Sequence, residues 1–141
     1  VDIAREKLAQ DPCPQLRFDV ADADAPATSA SAHDAVLAFN VLHLVANLDA
    51  ALASCASALR PGGLLITKTP CLAEMNPLIP WLAVPLMRAI GKAPPVLTLG
   101  QDDLTAAMKR CGLDILALER HAAKGRDFRP FIVARKAVDW C

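Results

Sequence analysis

The chain has no tyrosine, only four Phe and two Trp, and no glycine ahead of Gly62. So few aromatics leave no platform on which single-stranded bases could stack. Net charge is zero, which removes the electrostatic footprint of a nucleic-acid binder or of a protein held on an acidic membrane. The five cysteines, Cys13, Cys55, Cys71, Cys111 and Cys141, are odd in number, and none are spaced Cys-x-x-Cys. That pattern indicates neither a disulfide frame nor a zinc or other metal site. Reduced thiols in a cytoplasm fit it best. The first residues are charged and lack an apolar segment, so no signal peptide is read. The first residue is Val rather than Met, which hints at a fragment or a processed form.

What the chain does have is apolar mass and punctuation. Its 141 residues, 54% hydrophobic, suffice for one domain with a real core. Residues 2–10 place Ile3, Ala4 and Leu8 on one helical face, and Asp11-Pro12 ends that helix. Leu16 to Val20 alternates with period two and reads as a short strand. Residues 21–32 read as a loop. Ala35 to Phe39 is a continuous apolar run, as in a strand buried on both faces. Asn47 or Asp49 can cap a helix to about Leu59, with Leu48, Leu52, Cys55, Ala56 and Leu59 inward. Pro61-Gly62-Gly63 stops it, and Leu64 to Thr69 is the next strand. Six prolines then fall in 70–100, around an apolar stretch, Leu78–Ile90, shorter than the about 20 residues a bilayer span needs. Gln101 to Cys111 is an amphipathic helix with Leu104, Ala107, Met108 and Cys111 inward, stopped by Gly112. Ile115 to Leu118 and Pro130 to Ala134 are strands with no helix between them, so they should pair antiparallel. The basic loop between them carries Arg120, His121, Lys124, Arg126 and Arg129. Alternating strands and helices give an α/β fold with right-handed crossovers.

The order of Asp34-Ala-Val-Leu-Ala-Phe-Asn40, Val41-Leu-His43, Leu59-Arg-Pro-Gly-Gly63 and Leu64-Leu-Ile-Thr67 closely resembles the middle of a class I S-adenosylmethionine-dependent methyltransferase. The resemblance runs from Ala4 to Lys136. It implies a Rossmann-like, mostly parallel sheet with helices on both faces and an antiparallel C-terminal strand pair. It also implies S-adenosylmethionine as cofactor and in-line attack by a small-molecule nucleophile on the sulfonium methyl. Asp22 stands where the family's acid after its third strand accepts from the adenine amino group. Ala23 would offer its backbone N–H to the ring. Phe39 and Asn40 would lie under the methionine part, Asn40 through its carbonyl. His43 is a candidate general base, or else a histidine packed at the helix entrance. The 70–100 stretch could cap an apolar substrate, with Trp81 and Met87 in contact, or could simply complete the core. The basic loop could hold an anionic substrate or be solvated.

The departure from the family is at the front. Its glycine-rich turn and ribose-binding acid have no counterpart here. Glycines are needed there so that backbone can approach the ligand. The expected domain is therefore single and partial, N-terminally truncated over residues 1–141, lacking the family's first two strands. Loss of those strands would leave Ala35 to Phe39 as an exposed edge, open to self-association. Alternatively the Leu16–Val20 strand would move over and pair with it. Two functional classes stay open: a truncated small-molecule methyltransferase, or a non-catalytic remnant that interacts through its sheet edge. A nicotinamide-dependent dehydrogenase fits less well, because of the antiparallel last pair.

Overall fold

A computed structural model describes residues 1–25, 30–31, 33–74, 97–120 and 129–138. The described elements in chain order are α1 (Asp2–Gln10), β1 (His33–Phe39), α2 (Leu48–Ala58), β2 (Leu59–Lys68), a 3-10 turn (Leu72–Glu74), α3 (Gln101–Arg110), β3 (Leu113–Glu119) and β4 (Phe131–Lys136). Local chemistry sets the helix ends. The Asn47 side-chain oxygen accepts the Ala50 N–H at 3.0 Å, satisfying one of the unpaired donors that open α2. At α3 the Asp103 carboxylate accepts the Gly100 N–H at 3.2 Å. Asp102 and Asp103 in its first turn and Lys109 and Arg110 in its last complement the helix dipole. Gly112, at φ +71°, turns the chain from α3 into β3.

The four strands form one sheet in the order β1-β2-β4-β3. β1 and β2 pair in parallel, while β4 is antiparallel to both β2 and β3. Three of the four strands, β1, β2 and β3, therefore run the same way, and the last two pair antiparallel as the sequence predicts. β2 is buried on one face at Leu65 and Thr67, and β4 at Ile132 and Ala134. Leu52 and Ala56 of α2 and Leu104, Ala107 and Met108 of α3 complete that core, with Leu59 and Leu113 at its margin. α2 lies on β1 and β2, α3 lies on β3, and the two helices touch. An ion pair at 2.8 Å between Arg110 and Asp49 ties the end of α3 to the start of α2. The inward faces read from helical spacing are the observed ones, with Ala51 added to α2.

The front of the chain departs from expectation in three places. Leu16 to Val20 is not a strand. Its alternation is present but no neighbour forms a ladder with it, and an unpaired strand leaves its backbone groups to water. Leu16 is 47% and Val20 75% exposed, and the Phe18 carbonyl accepts from Arg5 Nε at 3.1 Å instead. The proposed move of this segment onto β1 therefore does not occur, and among the described strands β1 is an edge. α1 forms where its spacing places it, yet none of its residues is buried, and Ile3 is 71% exposed. Finally, Pro61-Gly62-Gly63 is not a separate turn. β2 begins at Leu59, directly after α2, and absorbs the three residues in an irregular register between His33↔Leu59 and Ala35↔Leu64.

Candidate functional site

β1 delivers the chain to the carboxyl end of the sheet, where ligands of open α/β folds bind. The strand stops at Phe39 because Asn40 turns left-handed, at φ 53°. Asparagine tolerates that conformation better than most residues. The Asn40 N–H still reaches the Lys68 carbonyl at 2.9 Å, so the turn is fastened to β2. Beyond it, Val41 to Ala46 curl back toward α2, with Leu42 and Val45 buried and Leu44 left 40% exposed.

Opposite this turn lies the loop at residues 21–24, closed by the Ala25 N–H bonding to the Asp22 carbonyl at 3.3 Å. The two segments enclose a cleft of about 470 Å³ lined by Ala21, Asp22, Ala23, Asp24, Val41, Leu44, Val45 and Ala46. One wall is aliphatic and the other carries two carboxylates. Such a cleft suits a flat apolar ring that bears hydrogen-bond donors on its edge. Of the residues singled out from the sequence, Asp22 and Ala23 line it. Phe39 and Asn40 do not, although Val41, the next residue, does. Asp24 and the apolar wall were missed by sequence reasoning. The signal available for them was position alone, since each follows directly on a residue that had been read.

His43 is half-buried on the same turn. Its backbone carbonyl accepts the Leu97 N–H at 2.9 Å. Its Nδ1 is buried with no hydrogen-bond partner. Burial lowers its pKa from 6.5, so the ring is neutral at pH 7. A neutral imidazole is the form a general base needs, but His43 is not among the residues lining the cleft.

Thr67 and Thr69, fully buried at the end of β2, share a hydroxyl–hydroxyl hydrogen bond of 3.0 Å. Nearby, burial followed by the charge of Glu74 pushes the Cys71 thiol up to about 11, so it stays protonated and inert. Cys13, Cys55, Cys71 and Cys111 are all free thiols. Arg120, at the head of the basic loop, is committed to structure: it donates to Glu74 at 2.9 Å and to Gln101 at 2.7 Å. Glu74 in turn accepts the Gln101 N–H at 3.0 Å, so this cluster holds the 3-10 turn against the start of α3. Trp81, Met87, His121, Lys124 and Arg126 lie outside the described residues. No helix among the described residues is long and apolar enough to cross a membrane.

A methyltransferase domain model matches residues 1–65, a span that includes α1, the cleft and β1. No curated protein sequence matches the chain. Solved structures do. An S-adenosylmethionine-dependent methyltransferase from Methanosarcina mazei is 15% identical, with 99% of this chain and 78% of that one aligned at a TM-score of 0.74. The methyltransferase CalH, solved in complex with SAH, is 20% identical over 96% of this chain and 39% of its own, with a TM-score of 0.68. The cyclase SpnF is 17% identical over 98% of this chain and 62% of its own, with a TM-score of 0.73. The chain thus corresponds to a part of those last two proteins, and one fold serves chemistries with different names. Through the match over residues 1–65 and the arrangement of its sheet, the chain carries a methyltransferase domain sequence and has the fold of the class I S-adenosylmethionine-dependent methyltransferases.

Proposed function

We propose that this chain is the latter part of an S-adenosylmethionine-dependent methyltransferase acting on a small, apolar molecule. The observation that carries the reading is the cleft, in which the loop at Asp22 and Ala23 faces the turn that leaves β1. The residues present fit one end of the cofactor. Asp22 accepts from the adenine amino group, Ala23 lets the ring approach and offers its N–H, and Leu44 and Val45 form the apolar wall. Phe39 and Asn40, just before the cleft, border the methionine end. When bound, the cofactor supplies an activated methyl group on sulfur. Nothing in this sequence supplies the glycine-rich backbone cradle for the remainder of the cofactor, because no glycine precedes Gly62. We therefore read the domain as N-terminally truncated.

His43 is the one titratable group on the turn whose neutral form is favoured by burial, and it is our candidate base. The segment after Glu74 returns at Leu97, whose N–H bonds to the His43 carbonyl, which supports a substrate cap over that side with Trp81 and Met87 in contact. A reducing cytoplasm suits the free thiols.

Calorimetry with S-adenosylmethionine and its demethylated product tests the reading. A version of the chain extended upstream by a glycine-rich turn should bind, and the 141-residue chain should bind far more weakly. In the extended version Asp22→Ala should weaken binding about tenfold, the loss of one hydrogen bond to a charged acceptor. Binding by neither version would favour the second reading, a non-catalytic remnant that interacts through its sheet edge. The specific observation behind that alternative is the position of β1 at the edge.

A further inference from the structure

β1 is the outermost described strand on its side of the sheet. The hydrogen bond from the Asn40 N–H to the Lys68 carbonyl, at 2.9 Å, fixes which way its backbone faces. Residues that bond one neighbour alternate along a parallel strand. Val36, Ala38 and Asn40 thus turn their backbone groups to β2, and Ala35, Leu37 and Phe39 turn theirs outward. These same three residues put their side chains on the sheet face away from α2, where Leu37 is 61% and Phe39 49% exposed. Natural edges are commonly guarded by lysine, proline or an inward charge. Residues 33–39 contain no lysine or proline. Their one acid, Asp34, is already paired with Arg60 at 2.8 Å.

We propose that this edge is a contact between two copies of the chain, paired antiparallel about a two-fold axis at Leu37. The inference rests on the sheet and is independent of the cofactor reading. Antiparallel strands place outward-bonding residues opposite outward-bonding residues, so odd positions must face odd positions. Centred on Leu37, the pairing sets Leu37 against its copy, Ala35 against Phe39, and Val36 against Ala38. A large side chain meets a small one at each end, and the pairs on the open face are apolar. The remaining pair is Asp34 against Asn40, so no like charges meet. Centring on Val36 instead would set Asp34 against Ala38 and Phe39 against His33, a poorer match. A charged foreign strand finds little to grip, because Arg60 already neutralises the strand's acid. A second copy is self-complementary and closes into a dimer, since a two-fold contact uses the same patch on both sides. The contact is short, so association should depend on concentration.

Light scattering coupled to size-exclusion chromatography of the 141-residue chain is the test. The mass should approach twice the 15.0 kDa chain mass at high concentration and fall to that mass on dilution. Leu37→Lys and Leu37→Glu alter an exposed side chain and should each give a folded monomer by circular dichroism, because each sets like charges face to face. Mixed in equal amounts at low salt, the two variants should recover the dimer as a heterodimer. A monomer at every concentration would overturn the proposal and leave the edge to a segment of another protein or of a longer chain. So would a polydisperse aggregate, a dimer indifferent to both substitutions, or a mixture that stays monomeric.

Discussion

Residues 1–25 and residues 33–68 were written in the same alphabet of periodic apolar positions, and only the second set built a core. α1 has a helical pattern, a charged outer face and a proline-linked stop, and it forms, yet buries nothing. α2 is no better patterned, but Ala51 and Leu52 are fully buried under it. Leu16 to Val20 alternates as cleanly as a strand should and has no ladder, whereas β1 is held along its length by β2. The difference lies in what each segment meets. Local pattern states which face wants to be buried; a neighbour decides whether it is.

The largest effect should come from removing packing on either side of that contrast. Leu52→Ala deletes a side chain at 0% exposure between α2 and the sheet, and should lower unfolding free energy by about 2–5 kcal/mol in a urea titration. Ile3→Ala, on a side chain 71% exposed, should change it by no more than about 0.5 kcal/mol. Equal losses at the two positions would mean that α1 is packed in solution and that the contrast is false.

Much of the fold could be read before any coordinates. The Asn47 cap, the inward sets of α2 and α3, the stop at Gly112 and the antiparallel last pair all follow from short-range rules. The fate of Leu16 to Val20 did not, because strand formation is settled by a partner that lies outside the window in which alternation is counted. The run Pro61-Gly62-Gly63 misled for a related reason. These residues suit a turn, but here they sit at an irregularity in the ladder that only the pairing with β1 reveals. At the candidate site, Asp22 and Ala23 were legible through resemblance. The apolar wall at Leu44 and Val45 was not, since nothing local distinguishes a residue lining a cleft from one filling a core.

A middle-sized effect should separate two glycines that pattern alone treats alike. A Cβ on Gly63 would lie 2.9 Å from the Arg60 carbonyl oxygen and 3.1 Å from that of Asp34, both backbone atoms that cannot step aside. Gly63→Ala should therefore cost about 1–3 kcal/mol and disturb the β1–β2 register. Gly112 has open space around it, so Gly112→Ala carries only the strain of its positive φ, about 1–2 kcal/mol, and leaves the sheet untouched. Amide exchange in β1 reads the distinction. Loss of protection there in the Gly112 variant, and none in the Gly63 variant, would contradict the assignment of the irregular register to Gly63.

The smallest effect concerns His43, which stands where the packed region meets the loop at Asp22. Burial lowers its folded-state pKa below 6.5, whereas the unfolded chain keeps the ordinary value. Between those two values the unfolded state holds more protons, so stability rises with pH there. The contribution is complete above about pH 6.5 and is lost as pH falls from that point toward the folded-state value. Urea midpoints measured stepwise across this window should decline toward acid in the parent chain. His43→Asn, which keeps a polar atom near Nδ1 but cannot titrate, should flatten that part of the curve while leaving the lower-pH decline from carboxylates in place. An unchanged slope would mean that water reaches the ring, and would withdraw the support that burial gives to a neutral imidazole beside the cleft.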